Sequence, residues 1–546
     1  MFDVLISGGT VYDGTGADPV IAEVAVSGDR VVQVRPAGPP DTAEAPGTAD
    51  APDTAEAAVR IDATGKVVCP GFINILSHSS YSILQDPRSL GELTQGVTTE
   101  IFGEGSSMGP LTPAMRAELA EDLDGPSYAV TWSRLREYLD YVERRGTSQN
   151  VASFIGGGTI REYGVGYGMR PATASELDRM RATVAEEMAD GALGIASALI
   201  YPPGSYADAA EITQLCEVAA RYDGCYASHV RSEGEDLHGA IGEFLSICRN
   251  AGLRGEMFHL KAAGRLHWDK MDGAIELLER ARAAGEPVTA DVYPYPASST
   301  GLSTIIPERF HEGGPAALYE RLTDPRVRAE IRAELSQSGR WGDVHEADSV
   351  LILRVTRDEN RDCQGRTLAG IASERGTGPI DTAIDLIASD RSRVGCAFFS
   401  MSEENLRKAL VRPWVAVSSD GASMAPEGSF LDAPTHPRAY GSFARVLGHY
   451  ARDQKLLTLA DAIHRISGLP ASTLGLTGRG LLAEGSFADI VVFDPATIID
   501  NATFADPHRL ATGVSEVIVN GKVTISGGAF TGELAGRALA GPGARR

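Results

Sequence analysis

The residues best suited to chemistry stand where short apolar runs end. Asn74-Ile-Leu-Ser-His78 closes one run, Gly103-Glu104-Gly105 a second and Ala227-Ser-His229-Val-Arg231 a third. Phe258-His259-Leu-Lys261 closes a fourth and Ser418-Ser-Asp420-Gly421 the last. Neutral imidazoles with a carboxylate make a ligand set for zinc or a similar divalent ion and leave a position for water. An aspartate beside such an ion takes a proton from that water and passes it on. His229, His259 and Asp420 are the principal candidates; His78 and Glu104 are further candidate ligands. His238, His267, His311, His345, His449, His464 and His508 fall in helix or loop patterns and read as surface or packing residues. One Gly-x-Ser-x-Gly match, Gly105-Ser-Ser107-Met-Gly109, makes Ser107 an alternative nucleophile, with His78 the nearest candidate base. Gly156-Gly-Gly158 lacks the spacing of a dinucleotide fingerprint.

Such a constellation needs a scaffold that gathers strand ends. From about Val67, short runs rich in Val, Ile, Ala and Phe alternate with amphipathic helices, which is the pattern of parallel βα units. The strands read as Val67–Ile75, Thr98–Phe102, Val151–Ile155, Leu193–Ala198, Cys225–His229, Gly255–His259, Val288–Val292, Val394–Phe399 and Trp414–Val417. That is one more than an eight-stranded barrel needs, so one is an accessory strand. Thr173-Ala-Ser-Glu176 is a capping box ahead of Leu177, Met180, Val184 and Met188, which share a helical face. The expected fold is α/β: a (β/α)8 TIM-like barrel over residues 67–475, with functional groups at the C-terminal strand ends. A helical, charged insertion over about 298–382 breaks the rhythm and could act as a lid. Residues 1–66 and 476–546 both alternate in strand fashion and bracket the barrel, so they are expected to pair as one small β domain. Pro36 to Ala58 is low in complexity and reads as a solvated loop.

These motifs, in this order, resemble the amidohydrolase superfamily and, more closely, the N-acyl-D-amino-acid deacylase (D-aminoacylase) family. The resemblance runs through Pro70-Gly-Phe-Ile73, Gly96-Val-Thr-Thr99, the segment Gly191 to Gly204, Tyr226-Ala-Ser-His-Val-Arg-Ser-Glu-Gly234 and His259-Leu-Lys-Ala-Ala-Gly-Arg265. It continues through Thr289-Ala-Asp-Val-Tyr-Pro-Tyr295, Ser418-Ser-Asp-Gly421, His436-Pro-Arg-Ala-Tyr440 and the segment Gly478 to Asp494. It implies a metal-supporting barrel flanked by a β-sandwich, and hydrolysis of an amide bond in an N-acyl-D-amino acid or related small molecule. It implies His229 and His259 as ligands of one divalent ion, zinc, and Asp420 as general base and acid. Lys261, Arg231, Tyr201, Tyr293 and His436 are implied as substrate-binding positions. Three positions depart from the pattern: Leu76 replaces the first histidine of a His-x-His pair, Gly105 falls where a cysteine ligand is expected, and Gly156-Gly157 replaces a Gly-His pair. These departures leave a mononuclear site, with Glu104 the neighbouring group able to replace the cysteine.

Composition narrows the alternatives. The 546 residues carry 50 Lys+Arg against 73 Asp+Glu, a net charge of −23. Such a field repels nucleic acid and anionic lipid, so a small-molecule substrate is the expected partner. The N-terminus reads as lacking a signal peptide, and no run of about 18 apolar residues occurs. Six cysteines without a CxxC pair read as reduced, packed thiols of a cytoplasmic protein. A cyclic-amide hydrolase or a D-specific dipeptidase would use the same metal logic. A metal-free barrel that binds a small molecule, transfers an acyl group or uses Ser107 is the remaining reading. No interface signature sets an oligomeric state.

Overall fold

The computed structural model describes residues 1–36, 56–122, 129–337 and 344–544. Residues 37–55 of the expected low-complexity loop lie outside them. Eight parallel strands follow one another in chain order, and we number them β1 (Phe72–Asn74), β2 (Val97–Phe102), β3 (Asn150–Ser153, resuming as Ile155–Gly156) and β4 (Gly194–Ala198). Then come β5 (Cys225–His229), β6 (Arg254–Met257), β7 (Val288–Val292) and β8 (Val415–Val417). β1 pairs with β2 and β2 with β3. The sheet then runs on through β4, β5, β6 and β7 to β8, every pair parallel. Backbone bonds from Asp420 N to Leu76 O and from His78 N to Gly421 O join the ends of β8 and β1. These strands are buried along nearly their whole length, which is why they read as continuous apolar runs.

The connecting helices form as the sequence dictates. Ala174–Ala189 begins at Thr173, whose side chain accepts from Glu176 N while Glu176 returns a bond to the Thr173 backbone. Met180, Val184 and Met188 are buried along it.

Two boundaries differ from expectation. The first strand is two: Val67–Pro70 pairs with Ile490–Phe493 in the sheet of the chain ends, and only Phe72–Asn74 enters the barrel. The insertion also reaches beyond residue 382. Ser298–Gly301, Val350–Arg354 and Gly395–Phe398 make a three-stranded antiparallel sheet, so the run at Val394–Phe399 is the accessory strand. Periodicity could not separate it, because Cys396 and Ala397 are buried as fully as barrel residues. The insertion has its own core, including Leu302, Ile331, Ile352 and Ile384.

The chain ends share one nine-stranded sheet rather than two separate ones. It curls on itself: Val31 N bonds Ser486 O and Ala488 N bonds Asp29 O. Val24, Val26, Ile490 and Ile518 meet in one core. Among the described residues no helix is long and apolar enough to cross a membrane.

Candidate metal centre and cavity

Glu104 stands between two glycines that only glycine can be. Gly103 and Gly105 have φ of +112° and +64°. A Cβ on Gly103 would lie 2.5 Å from Phe154 O, and one on Gly105 would lie 2.6 Å from the Ala198 Cβ. A side chain at 105 therefore does not fit this backbone, and the turn presents Glu104 instead.

The Glu104 carboxylate is the hub. Oε1 lies 3.1 Å from His229 Nδ1 and 3.0 Å from His259 Nε2; Oε2 lies 3.0 Å from His78 Nε2. His78 Nε2 is also 3.0 Å from Asp420 Oδ1. The ends of β1, β2, β5, β6 and β8 thus bring together His78, Glu104, His229, His259 and Asp420. His259 and Asp420 sit in left-handed backbone, at φ of +40° and +46°, a strained conformation that clusters at functional sites.

The donor set fits a divalent cation. Two groups can each converge on an ion: Glu104, His229 and His259, and then His78, Glu104 and Asp420, with Glu104 common to both. In the first, one carboxylate oxygen lies within hydrogen-bond distance of two ring nitrogens, an arrangement that either ring protons or a shared cation satisfies. The electrostatics agree. Burial opposes ionisation of Glu104, yet bonds from His229, His259 and His78 hold its carboxyl well below the usual range. Burial and the Lys261 charge oppose protonation of His259, but Glu233 and Glu104 carry it up to about 10. His78 rises to about 9 against burial through Asp420 and Glu104. Moreover, His229 Nε2 is buried with no hydrogen-bond partner.

Glu233 completes the set, and the sequence reading missed it. Its Oε1 lies 3.0 Å from His259 Nδ1 and 3.5 Å from His229 Nε2, and it accepts from Lys261 Nζ. His259 Nδ1 thus faces Glu233 Oε1 and, at 2.7 Å, Lys261 Nζ, and both fix the ring whose Nε2 meets Glu104. The available signal was its place four residues after His229. Arg438 was missed likewise, two residues after His436. Its NH1 donates to Asp420 Oδ2 at 2.7 Å. Burial raises the Asp420 carboxyl, but the Arg438 charge and the bond from His78 bring it to about 2. Asp420 is therefore an ionised acceptor at neutral pH.

The remaining expected positions divide. Tyr201 lines the cavity, its ring edge-on to His229 at 5.5 Å and its hydroxyl 2.8 Å from Thr300 Oγ1. Lys261 and Tyr293 also line it, but the Tyr293 hydroxyl is turned to Met401 Sδ. Arg231 is not free to bind substrate: it is forked onto Glu243 and donates to the carbonyls of Ser205 and Ala207. His436 does not face the cavity. Its Nδ1 accepts from Arg438 N and its Nε2 donates to Ala297 O, while burial and the Arg438 charge keep it neutral. It fixes the turn that aims Arg438. The Ser107 Oγ donates to Gly109 O and accepts from Gly156 N, and among the described residues it meets no imidazole. Around the cluster opens a cavity of about 1170 Å³, walled on one side by the insertion.

Barrel, end sheet and strand-end cluster together define an amidohydrolase, and the amidohydrolase family model matches residues 406–525. The D-aminoacylase of Alcaligenes xylosoxydans xylosoxydans is 33% identical over 99% of this chain and 98% of its own length. The N-acyl-D-glutamate deacylase of the same organism is 32% identical, over 95% and 93%. A solved D-aminoacylase described for its binuclear metal center aligns with a TM-score of 0.81 and 32% identity, covering 99% of this chain and 100% of that one. The N-acyl-D-glutamate deacylase of Bordetella bronchiseptica, complexed with zinc and a phosphonate inhibitor, aligns at 0.80 with 29% identity over 99% of both. The chain belongs to the D-aminoacylase family.

Proposed function

We propose that the protein hydrolyses the amide bond of an N-acyl-D-amino acid or a closely related small molecule, using one divalent ion, zinc. The observation that carries this reading is the convergence of His229 and His259 on one oxygen of Glu104, beside His78, which joins the other oxygen to Asp420. His229, His259 and Glu104 would hold the ion, with His78 and Asp420 beside it. When bound, the ion supplies Lewis-acid polarisation of the amide carbonyl and acidifies water.

The chain's own residues do the rest. Asp420, kept ionised by Arg438, accepts the proton of the attacking water at Oδ1 and returns it to the leaving nitrogen, which is otherwise a poor leaving group. Glu233 orients His259, and Lys261 offsets the Glu233 charge. The Tyr201 hydroxyl, raised by burial, stays protonated and serves as a donor to substrate. The insertion shields the cavity from bulk water and serves as its lid. The all-thiol state of the six buried cysteines supports a cytoplasmic setting.

The test is Asp420→Asn, assayed with N-acetyl-D-amino acids alongside metal content. Loss of about 10²–10⁴ in kcat with the ion retained is the expected result. Deacylation at near the parent rate in the folded variant refutes the mechanism.

A further inference from the structure

A general base works only while it is aimed, and Arg438 grips Asp420 by the carboxylate alone. The Asp420 backbone lies in the left-handed region at φ +46°, a conformation that a non-glycine residue keeps only where its surroundings impose it. Bonds from Asp420 N to Leu76 O and from His78 N to Gly421 O pin the turn to β1 on one side. The bonds beneath it lead to a buried carboxyl that the mechanism does not use.

That group is Glu92, on the short helix Leu90–Leu93 between β1 and β2; it is fully buried, as are Asn74 and Ser419. Its Oε1 accepts from Ser419 Oγ at 2.6 Å and from Asn74 Nδ2 at 2.7 Å. Asn74 also donates from Nδ2 to Ser419 Oγ at 2.7 Å and accepts from Ser419 N at Oδ1, at 3.0 Å. Ser419 Oγ accepts from Gly421 N at 3.2 Å. Both neighbours of Asp420 are thus tied, through Ser419, to one carboxyl oxygen that stands 327 residues away along the chain. The helix comes this close because residue 91 is glycine: a Cβ there would lie 2.7 Å from Met424 O and 2.8 Å from Ala439 O, both in the segment that follows Asp420.

Glu92 does not line the cavity, so any effect it has on the reaction passes through the turn. Its Oε2 is buried without a hydrogen-bond partner, which leaves Oε1 to make the link. Burial and the Glu100 charge push the Glu92 carboxyl well above the usual range, so it stays the neutral acid. Glutamine then preserves both its charge and its acceptor, whereas alanine strands Ser419 and Asn74 in a buried site.

We propose that Glu92 is a positioning residue for the general base: through Ser419 and Asn74 it fixes the turn that aims Asp420 Oδ1 at the attacking water. This inference rests on the hydrolytic reading above. It divides the hold on Asp420 between Arg438, which sets the carboxylate, and Glu92, which sets the backbone that carries it.

The test compares the metal-loaded full chain with Glu92→Ala, Glu92→Gln and Ser419→Ala. It measures kcat, KM, ion content and folding, on whichever of N-acetyl-D-leucine and N-acetyl-D-glutamate the parent hydrolyses faster. Glu92→Ala is expected to lower kcat by roughly 10- to 100-fold, the range that a misplacement of about 1 Å reaches, with KM and ion content close to the parent's. Glu92→Gln recovers most of that loss. Ser419→Ala, which cuts the link from its other end, lowers kcat as well, and the double variant with Glu92→Ala loses less than the product of the two. A residue that served packing alone would lower stability and leave the kcat of the folded enzyme near the parent's. Parent-like kcat in folded Glu92→Ala overturns the proposal, as does a loss confined to KM or ion content, or a Glu92→Gln variant as poor as Glu92→Ala. If Glu92→Ala does not fold, Ser419→Ala decides: a loss in kcat alone supports the proposal and a parent-like kcat overturns it. If the parent itself hydrolyses neither substrate, the hydrolytic reading fails and takes the proposal with it.

Discussion

Replacing Glu104 by glutamine removes one charge from the cluster and almost no volume. The parent carboxylate, its side chain only 5% exposed, faces His229 and His259 through Oε1 and His78 through Oε2. The substituted amide would keep one acceptor, but its nitrogen would face an imidazole or the ion, and the negative charge is gone. Deleting one partner of a buried, hydrogen-bonded charge pair costs about 3–5 kcal/mol. At about 1.4 kcal/mol per factor of ten, this predicts ion affinity weaker by about 10²- to 4,000-fold. Competition against a chromogenic chelator measures it directly, without reference to turnover. Glu233→Gln is the internal comparison, since Glu233 touches His259 Nδ1 from behind. Loss of such an outer partner weakens metal binding by about 10- to 100-fold. If Glu104→Gln binds the ion as tightly as Glu233→Gln, or tighter, Glu104 is not a ligand and the assignment of the centre is wrong.

Two further predictions concern the scaffold. Burial pushes the Glu187 carboxyl up to about 7, only partly opposed by the Arg134 charge. A carboxyl raised on folding favours the folded state while protonated, so stability falls as pH rises from the ordinary value of 4.5 through about 7. At about 1.4 kcal/mol per unit the full cost above that window is about 3 kcal/mol. Glu187→Gln, which keeps an acceptor for Leu135 N, should therefore raise the melting temperature at mildly alkaline pH and leave it nearly unchanged at acid pH. An equal shift at both refutes the assignment. Ser107→Ala should cost about 1–2 kcal/mol of stability by stranding Gly156 N, and should leave kcat within about twofold. Loss of activity, together with labelling of the parent by a serine-reactive phosphonate, would restore Ser107 as nucleophile.

Sequence legibility followed the physics of each feature. The barrel strands could be read because buried parallel strands are continuous apolar runs, and the helices because capping and amphipathic spacing are local. Val394–Phe399 misled because a buried antiparallel strand in an insertion has the same composition as a barrel strand. Arg231 and His436 misled because a residue type announces what it can bind, not which neighbour already binds it. Arg231 is taken by Glu243, and His436 by Arg438 N and Ala297 O.

Local patterning was enough to set the nine strand-forming runs and the residues at their ends, because these depend on contacts within a few residues, though not which run stays outside the barrel. Folding in three dimensions was needed to bring Glu104 to three imidazoles drawn from β1, β5 and β6, and to stand Glu233 behind them. It also settled which cations are paired with carboxylates of the chain. Pairing between groups as far apart along the chain as Glu104 and His259 is fixed by closure of the strand array, which leaves no periodic trace along the chain.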